Sequence, residues 1–177
     1  MRLITADIAS PQDPYLPNEA QTITLAIIGI NTFMHLDERQ AGTALRHIAR
    51  LLKPNGRLCI DMDNPFTLAA VGGYAELEVE QEWLDPDTGQ AIRQLSAYRA
   101  VEDDQAIDVT WVFEEQTADN PVPEQTVVEM RYAYLYPHQY DLLLSQSGLR
   151  LVTLYGDYDR NPFDEASDRL LVIAQPA

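Results

Sequence analysis

The segments LAIIGINTFMHL, residues 25–36, and LKPNGRLCIDMDNP, residues 52–65, enclose one amphipathic run. The first is an apolar strand that ends in a polar cluster. The second is a tight turn and another apolar strand, closed by Asp-Met-Asp-Asn-Pro. Between them, Asp37 is an N-cap with Gln40 three residues on, and Ala41, Ala44, Leu45, Ile48, Ala49 and Leu52 recur at helical spacing. Lys53-Pro54-Asn55-Gly56 stops that helix, because Pro54 cannot continue it. The unit is β-α-β, with chemistry-bearing residues at the carboxyl end of both strands. In open α/β sheets that edge is where ligands bind.

Working outward, residues 2–6 read as a short strand ended by Asp7, and 10–18 as a proline-rich loop. Residues 22–30 are nearly all apolar or β-branched, as in a strand covered on both faces. Gly72-Gly73 marks a hinge. Beyond it the texture changes. Residues 76–83, 91–101, 107–115 and 126–135 alternate apolar and polar, the pattern of antiparallel strands with one wet face. The turns Asp85-Pro86-Asp87-Thr88-Gly89 and Glu102-Asp103-Asp104-Gln105 separate the first three, and 117–123 forms a further connection. Residues 138–147 are a short helix with Gly148 after it. Two more strands, 150–155 and 169–174, flank an acidic loop and suit an antiparallel hairpin.

Composition narrows the function. The chain has 177 residues, 46% of them hydrophobic, which suits one core-forming unit. Its 12 basic and 28 acidic residues leave a net charge of −16, which argues against nucleic acid and against an anionic membrane surface. No apolar run approaches a membrane span or a signal peptide, so the expectation is a cytoplasmic protein. Cys59 sits inside an apolar strand and reads as a core residue.

The order from Asn31-Thr32-Phe33-Met34-His35-Leu36 through Leu52–Pro65 resembles class I S-adenosylmethionine-dependent methyltransferases. The ending, Leu154-Tyr155-Gly156-Asp157-Tyr158-Asp159 through Pro162-Phe163-Asp164 to a final apolar strand, is similar to a subgroup with small-molecule substrates. That subgroup inserts an antiparallel sheet after its fifth strand. The resemblance implies an α/β fold: a partial Rossmann-like methyltransferase sheet from 1–73 and 136–177, with 74–135 as an antiparallel insert serving as lid or oligomerisation subdomain. The family begins with a strand, a glycine-rich turn and a helix, then a second strand ending in an acid. No such turn occurs here, so the expectation is a form shortened at its N-terminus. In that family's sheet, the strand matching 22–30 lies between the first and fifth strands. Its exposed edge is then covered by strand 2–6, by a second copy in a homodimer, or by a complementing N-terminal segment.

The resemblance also implies roles. Asp7 would accept from the adenine amino group and Ile8 would pack on the ring; the alternative is a loop cap. Gly29, Ile30 and Asn31 would lie beside the methionine part of S-adenosylmethionine, unless Asn31 only caps a helix. His35 would orient the acceptor or act as a general base; a surface role is the alternative. Asp63 and Asn64, at the end of the strand that also holds Asp61, would line the acceptor pocket, or Asn64-Pro65 simply turns the chain. Tyr132, Tyr134 and Tyr136 alternate, so Tyr134 would wall the pocket or pack within the sheet. Tyr158 and Phe163 suit a lid. His47 has no role. No metal is expected: a calcium loop starting at Asp157 would need glycine where Pro162 stands and glutamate where Asp168 stands. Methyl transfer is an in-line displacement that needs positioning more than acid–base groups. Two functions follow: a small-molecule methyltransferase in a shortened form inactive alone, or a non-catalytic domain acting through oligomerisation or partner binding. A nucleotide-binding module ranks last, for want of a phosphate loop.

Overall fold

A computed structural model describes residues 3–10, 12, 13, 15–17, 20–70, 76–116 and 122–177. The expected hinge at Val71–Tyr74 and most of the 117–123 connection lie outside these residues, as does Arg2. The chain divides into two units, Met1–Leu68 with Ala133–Ala177, and Ala69–Tyr132.

The first unit is built on a four-stranded sheet in the order β1-β2-β8-β7. Strand β1 (Ile23–Ile28) runs parallel to β2 (Leu52–Asp63), while β8 (Arg169–Pro176) is antiparallel to both β2 and β7 (Leu149–Tyr155). Helix α1 (Glu38–Leu51) crosses from β1 to β2. Its capping box forms as the sequence predicts: the Gln40 N–H donates to Asp37 Oδ1 at 2.7 Å, and the Asp37 N–H to Gln40 Oε1 at 2.9 Å. Helix α2 (Pro65–Ala69) follows β2, and α3 (Pro137–Gln146) precedes β7. The core joins Leu45 of α1 and Leu144 of α3 to Leu58 and Ile60 of β2 and Val172 of β8, all fully buried.

Two expectations need correction. No strand forms over residues 3–6, which are exposed and carry no ladder partner, so β1 is the edge of its sheet. An isolated pentapeptide without a neighbour has no ladder to repay its ordering. The stop after α1 is also not a turn ahead of the strand but part of β2: the register passes from Ile23↔Leu52 to Leu25↔Arg57, so residues 53–56 bulge out. Gly56 permits this, since a Cβ there would meet the Lys53 carbonyl at 3.0 Å and the Ile23 carbonyl at 3.1 Å.

The second unit is a sheet in the order β3-β4-β5-β6. Its strands are β3 (Glu78–Leu84), β4 (Ala91–Val101), β5 (Ala106–Gln116) and β6 (Glu124–Ala133). Antiparallel pairing joins β3 to β4 and β4 to β5. Alternation along these strands predicted all four. Cross-strand pairs hold the register: Arg93 bridges Glu82 and Glu114, and Arg99 faces Asp108. Among the described residues, no helix is long and apolar enough to cross a membrane.

Candidate active site

The carboxyl ends of β1 and β2 carry the densest polar network of the first unit. Side chains two apart on a strand share a face, so Asp61 and Asp63 project together. Antiparallel register sets Arg169, the first residue of β8, opposite Asp63. Its guanidinium donates from Nε and Nη2 to Asp61 Oδ1, at 3.0 and 2.7 Å, and from Nη1 to Asp63 Oδ1. From the turn after β1, Asn31 donates its amide to Asp63 Oδ2 at 2.8 Å and accepts from the Asp63 N–H at 2.9 Å and from Arg169 at 3.2 Å. Asp61 Oδ2 accepts from the Ile30 N–H at 3.2 Å and from the Tyr158 hydroxyl at 3.0 Å.

The electrostatics follow from these contacts. Burial pushes the Asp61 carboxyl up, but the hydrogen bonds from Arg169, Ile30 and Tyr158 outweigh it and hold the group below the usual carboxylate range. Burial works against the Arg169 cation, and the two carboxylates more than compensate, raising it. The hydrogen bond to Asp61 pushes the Tyr158 phenol up. Two carboxylates share one guanidinium, so the cluster carries one excess negative charge.

No family model matches the chain, and no curated protein does. Solved structures do match. The CcbJ methyltransferase from Streptomyces caelestis superposes with a TM-score of 0.72 at 21% identity, over 92% of this chain and 64% of its own. An S-adenosylmethionine-dependent methyltransferase from Clostridium acetobutylicum gives 0.76 at 12% identity, over 99% and 65%. The sugar N-methyltransferase KedS8 from Streptoalloteichus gives 0.67 at 16% identity, over 97% and 60%. The fold is that of the class I S-adenosylmethionine-dependent methyltransferases. The chain spans less than two thirds of the length of these methyltransferase structures.

On this sheet the network joins four of the predicted residues: Ile30, Asn31, Asp63 and Tyr158. Gly29 leads into them, and its carbonyl accepts from the Thr32 hydroxyl at 2.7 Å. His35 is exposed at the end of the 3-10 turn Thr32–His35. Asp7 is exposed in a loop: its Oδ1 accepts from the Ala9 N–H at 2.9 Å, and its own N–H donates to Asp13 at 2.8 Å. Ile8 beside it is half-buried. The strand that was to carry Asp7 to an adenine is absent, and its carboxylate caps its own loop.

Asn64 is 1% exposed. Its amide donates to the carbonyls of Glu165 and Ser167 at 3.0 and 2.8 Å, and its Oδ1 accepts from the Phe66 N–H at 3.0 Å. Those bonds make Asn64 the clamp of the loop between β7 and β8. Tyr134 is buried, its ring edge-on to Tyr136 at 5.7 Å; Tyr136 tilts onto Phe66 at 5.2 Å, and Phe66 stacks on Phe163. Tyr134 and Tyr136 lie beyond the end of β6, whereas Tyr132 is within it and packs on Trp111. The three tyrosines therefore do not line one strand face. Sequence reasoning missed Arg169. The available signal was the Asp61–Asp63 spacing, which puts two carboxylates on one strand face and demands a cation.

Proposed function

We propose that this chain forms the sheet and insert of an S-adenosylmethionine-dependent methyltransferase acting on a small molecule, with both ligands against the carboxyl ends of β1 and β2. The observation that carries the reading is the Asn31–Asp61–Asp63–Arg169 network at the carboxyl edge of the parallel pair β1–β2. That edge is the ligand crevice of open α/β sheets. The residues fit the group: a cluster with one excess negative charge suits the ammonium and sulfonium of the cofactor's methionine part. When bound, S-adenosylmethionine supplies an electrophilic methyl group. Gly29, Ile30 and Asn31 flank it, Asp63 and Tyr158 face the acceptor, and His35 orients the acceptor or takes its proton. Methyl transfer needs alignment and exclusion of water, which a fixed edge and the Tyr158 loop provide. The antiparallel unit serves as lid or oligomerisation surface.

Calorimetry and thermal melting of the chain with S-adenosylhomocysteine test this reading. Heat and an upward melting shift at millimolar ligand are expected. Absence of both would remove cofactor binding by this chain.

A second reading, a non-catalytic domain that binds a partner, draws on β1. This edge strand has no charged residue, and Leu25 and Ile27 are 55% and 65% exposed. Uncharged apolar edges template pairing with another strand. We propose that a second copy or a complementing segment covers it. Light scattering separates the two: a dimer that Ile27→Lys dissociates supports a second copy, and a monomer leaves the complementing segment.

A further inference from the structure

Two consecutive residues other than glycine, Ile30 and Asn31, hold positive φ angles of 50° and 59°. Asparagine tolerates the left-handed region, but a β-branched residue crowds the carbonyl there. Ile30 is also 83% exposed, so burial of its side chain offsets none of that strain. Such a pair persists only where its surroundings over-determine it.

Here the constraints run to two residues of β2. The Ile30 N–H donates to the Asp61 carboxylate, and the Asn31 N–H to the Asp61 carbonyl at 3.1 Å. The Asn31 side chain is held on both its oxygen and its nitrogen by Asp63. Neither carboxylate aims itself. With like charges on one face of β2, each would swing away from the other. Arg169 bonds both, and reaches Asn31 as well. A planar guanidinium with five donors in a fixed fork holds three acceptors at once, which a lysine ammonium on a flexible stem does not.

We propose that Arg169 is the positioning residue of the site. It fixes the left-handed Ile30–Asn31 turn in the shape a ligand meets, and Ile30 is the apolar contact that the turn displays. The identity of the ligand rests on the methyltransferase reading; the fixing of the turn does not.

The test is NMR of the full 177-residue chain. In the wild type, the Arg169 Nε–H exchanges slowly and shows coupling to the Asp61 carboxylate through the hydrogen bond. Strong intraresidue HN–Hα NOEs at Ile30 and Asn31, whose amide and α protons positive φ brings close together, report left-handed backbone. In Arg169→Met these NOEs weaken toward flexible-chain intensity while Leu58 and Val172 keep their core shifts, and Arg169→Lys restores them only in part. Affinity for S-adenosylhomocysteine falls at least about tenfold in Arg169→Met. An Nε–H that exchanges at the solvent rate in the wild type, or left-handed NOEs retained at full strength in Arg169→Met, would overturn the proposal. Should Arg169→Met not fold, the wild-type Nε–H measurement decides. If the wild type binds no S-adenosylhomocysteine yet the turn collapses in Arg169→Met, the methyltransferase reading fails and the positioning role stands.

Discussion

Each sheet carries an arginine–aspartate network, and the two are inverses. In the first unit, one arginine sits between two carboxylates: Arg169 between Asp61 and Asp63, with side chains 20%, 10% and 40% exposed. In the second unit, one carboxylate sits between two arginines: Asp108 between Arg99 and Arg131, with side chains 26%, 72% and 51% exposed. The chemistry is the same and the consequence differs. Water screens the second network, which pins strand register and contributes little else. The first is shielded, sits at the carboxyl edge of parallel strands, and holds a strained turn. Burial and the backbone it fixes, not the ion pair, set the proposed site apart.

The largest effect that would sharpen this contrast is Arg169→Met. It leaves Asp61 shielded and unpaired, and should cost about 3 kcal/mol in chemical denaturation, at the low end for breaking a buried pair because Asp63 is part-exposed. Gly156→Ala comes next. A Cβ at this buried position would lie 2.7 Å from the Ser167 Cβ in the loop that Asn64 clamps. A loss of about 1–3 kcal/mol is expected, partly restored by Ser167→Gly in the same denaturation assay.

Acid gives a smaller, directional effect. The folded pKa of Asp61 is lowered, so its contribution is complete above the ordinary carboxylate pKa and is lost as pH falls through the folded value. Carboxyl carbon NMR should find Asp61 titrating below the ordinary range in the wild type. In Arg169→Met it should titrate higher, because burial then meets less opposition. Asp108, lowered to about 2 by the hydrogen bonds of Arg131 and Arg99, has its full contribution above the ordinary carboxylate pKa and loses it progressively as pH falls to that value. The smallest effect is expected from Arg99→Ala, whose exposed side chain should leave the melting temperature within error. A large shift there would erase the distinction between the two networks.

Much of the fold was legible in the sequence because side-chain periodicity follows the local backbone geometry. Alternation placed β3 to β6, and Asp37 with Gln40 placed the start of α1. The leading strand failed because Leu3 and Ile4 are apolar enough for a strand but have no neighbour to pair with. The bulge in β2 was hidden because Pro54 and Gly56 suit a turn and a bulge equally. The site was legible only in part. Asn31 and Asp63 stand at strand ends and announce themselves. Arg169 lies 108 residues from Asp61, and only the antiparallel register of β8 brings it across. Asn64 looked like a pocket residue because an asparagine at a strand end suits a ligand and a backbone clamp alike.

Crystallography of the chain with S-adenosylhomocysteine tests the central claim most directly. The account predicts density for the ligand beside Gly29, Ile30 and Asn31, with its amino group toward Asp63 and the Arg169 fork unchanged. A ligand seated elsewhere, or an edge that stays bare at saturating concentration, would contradict it.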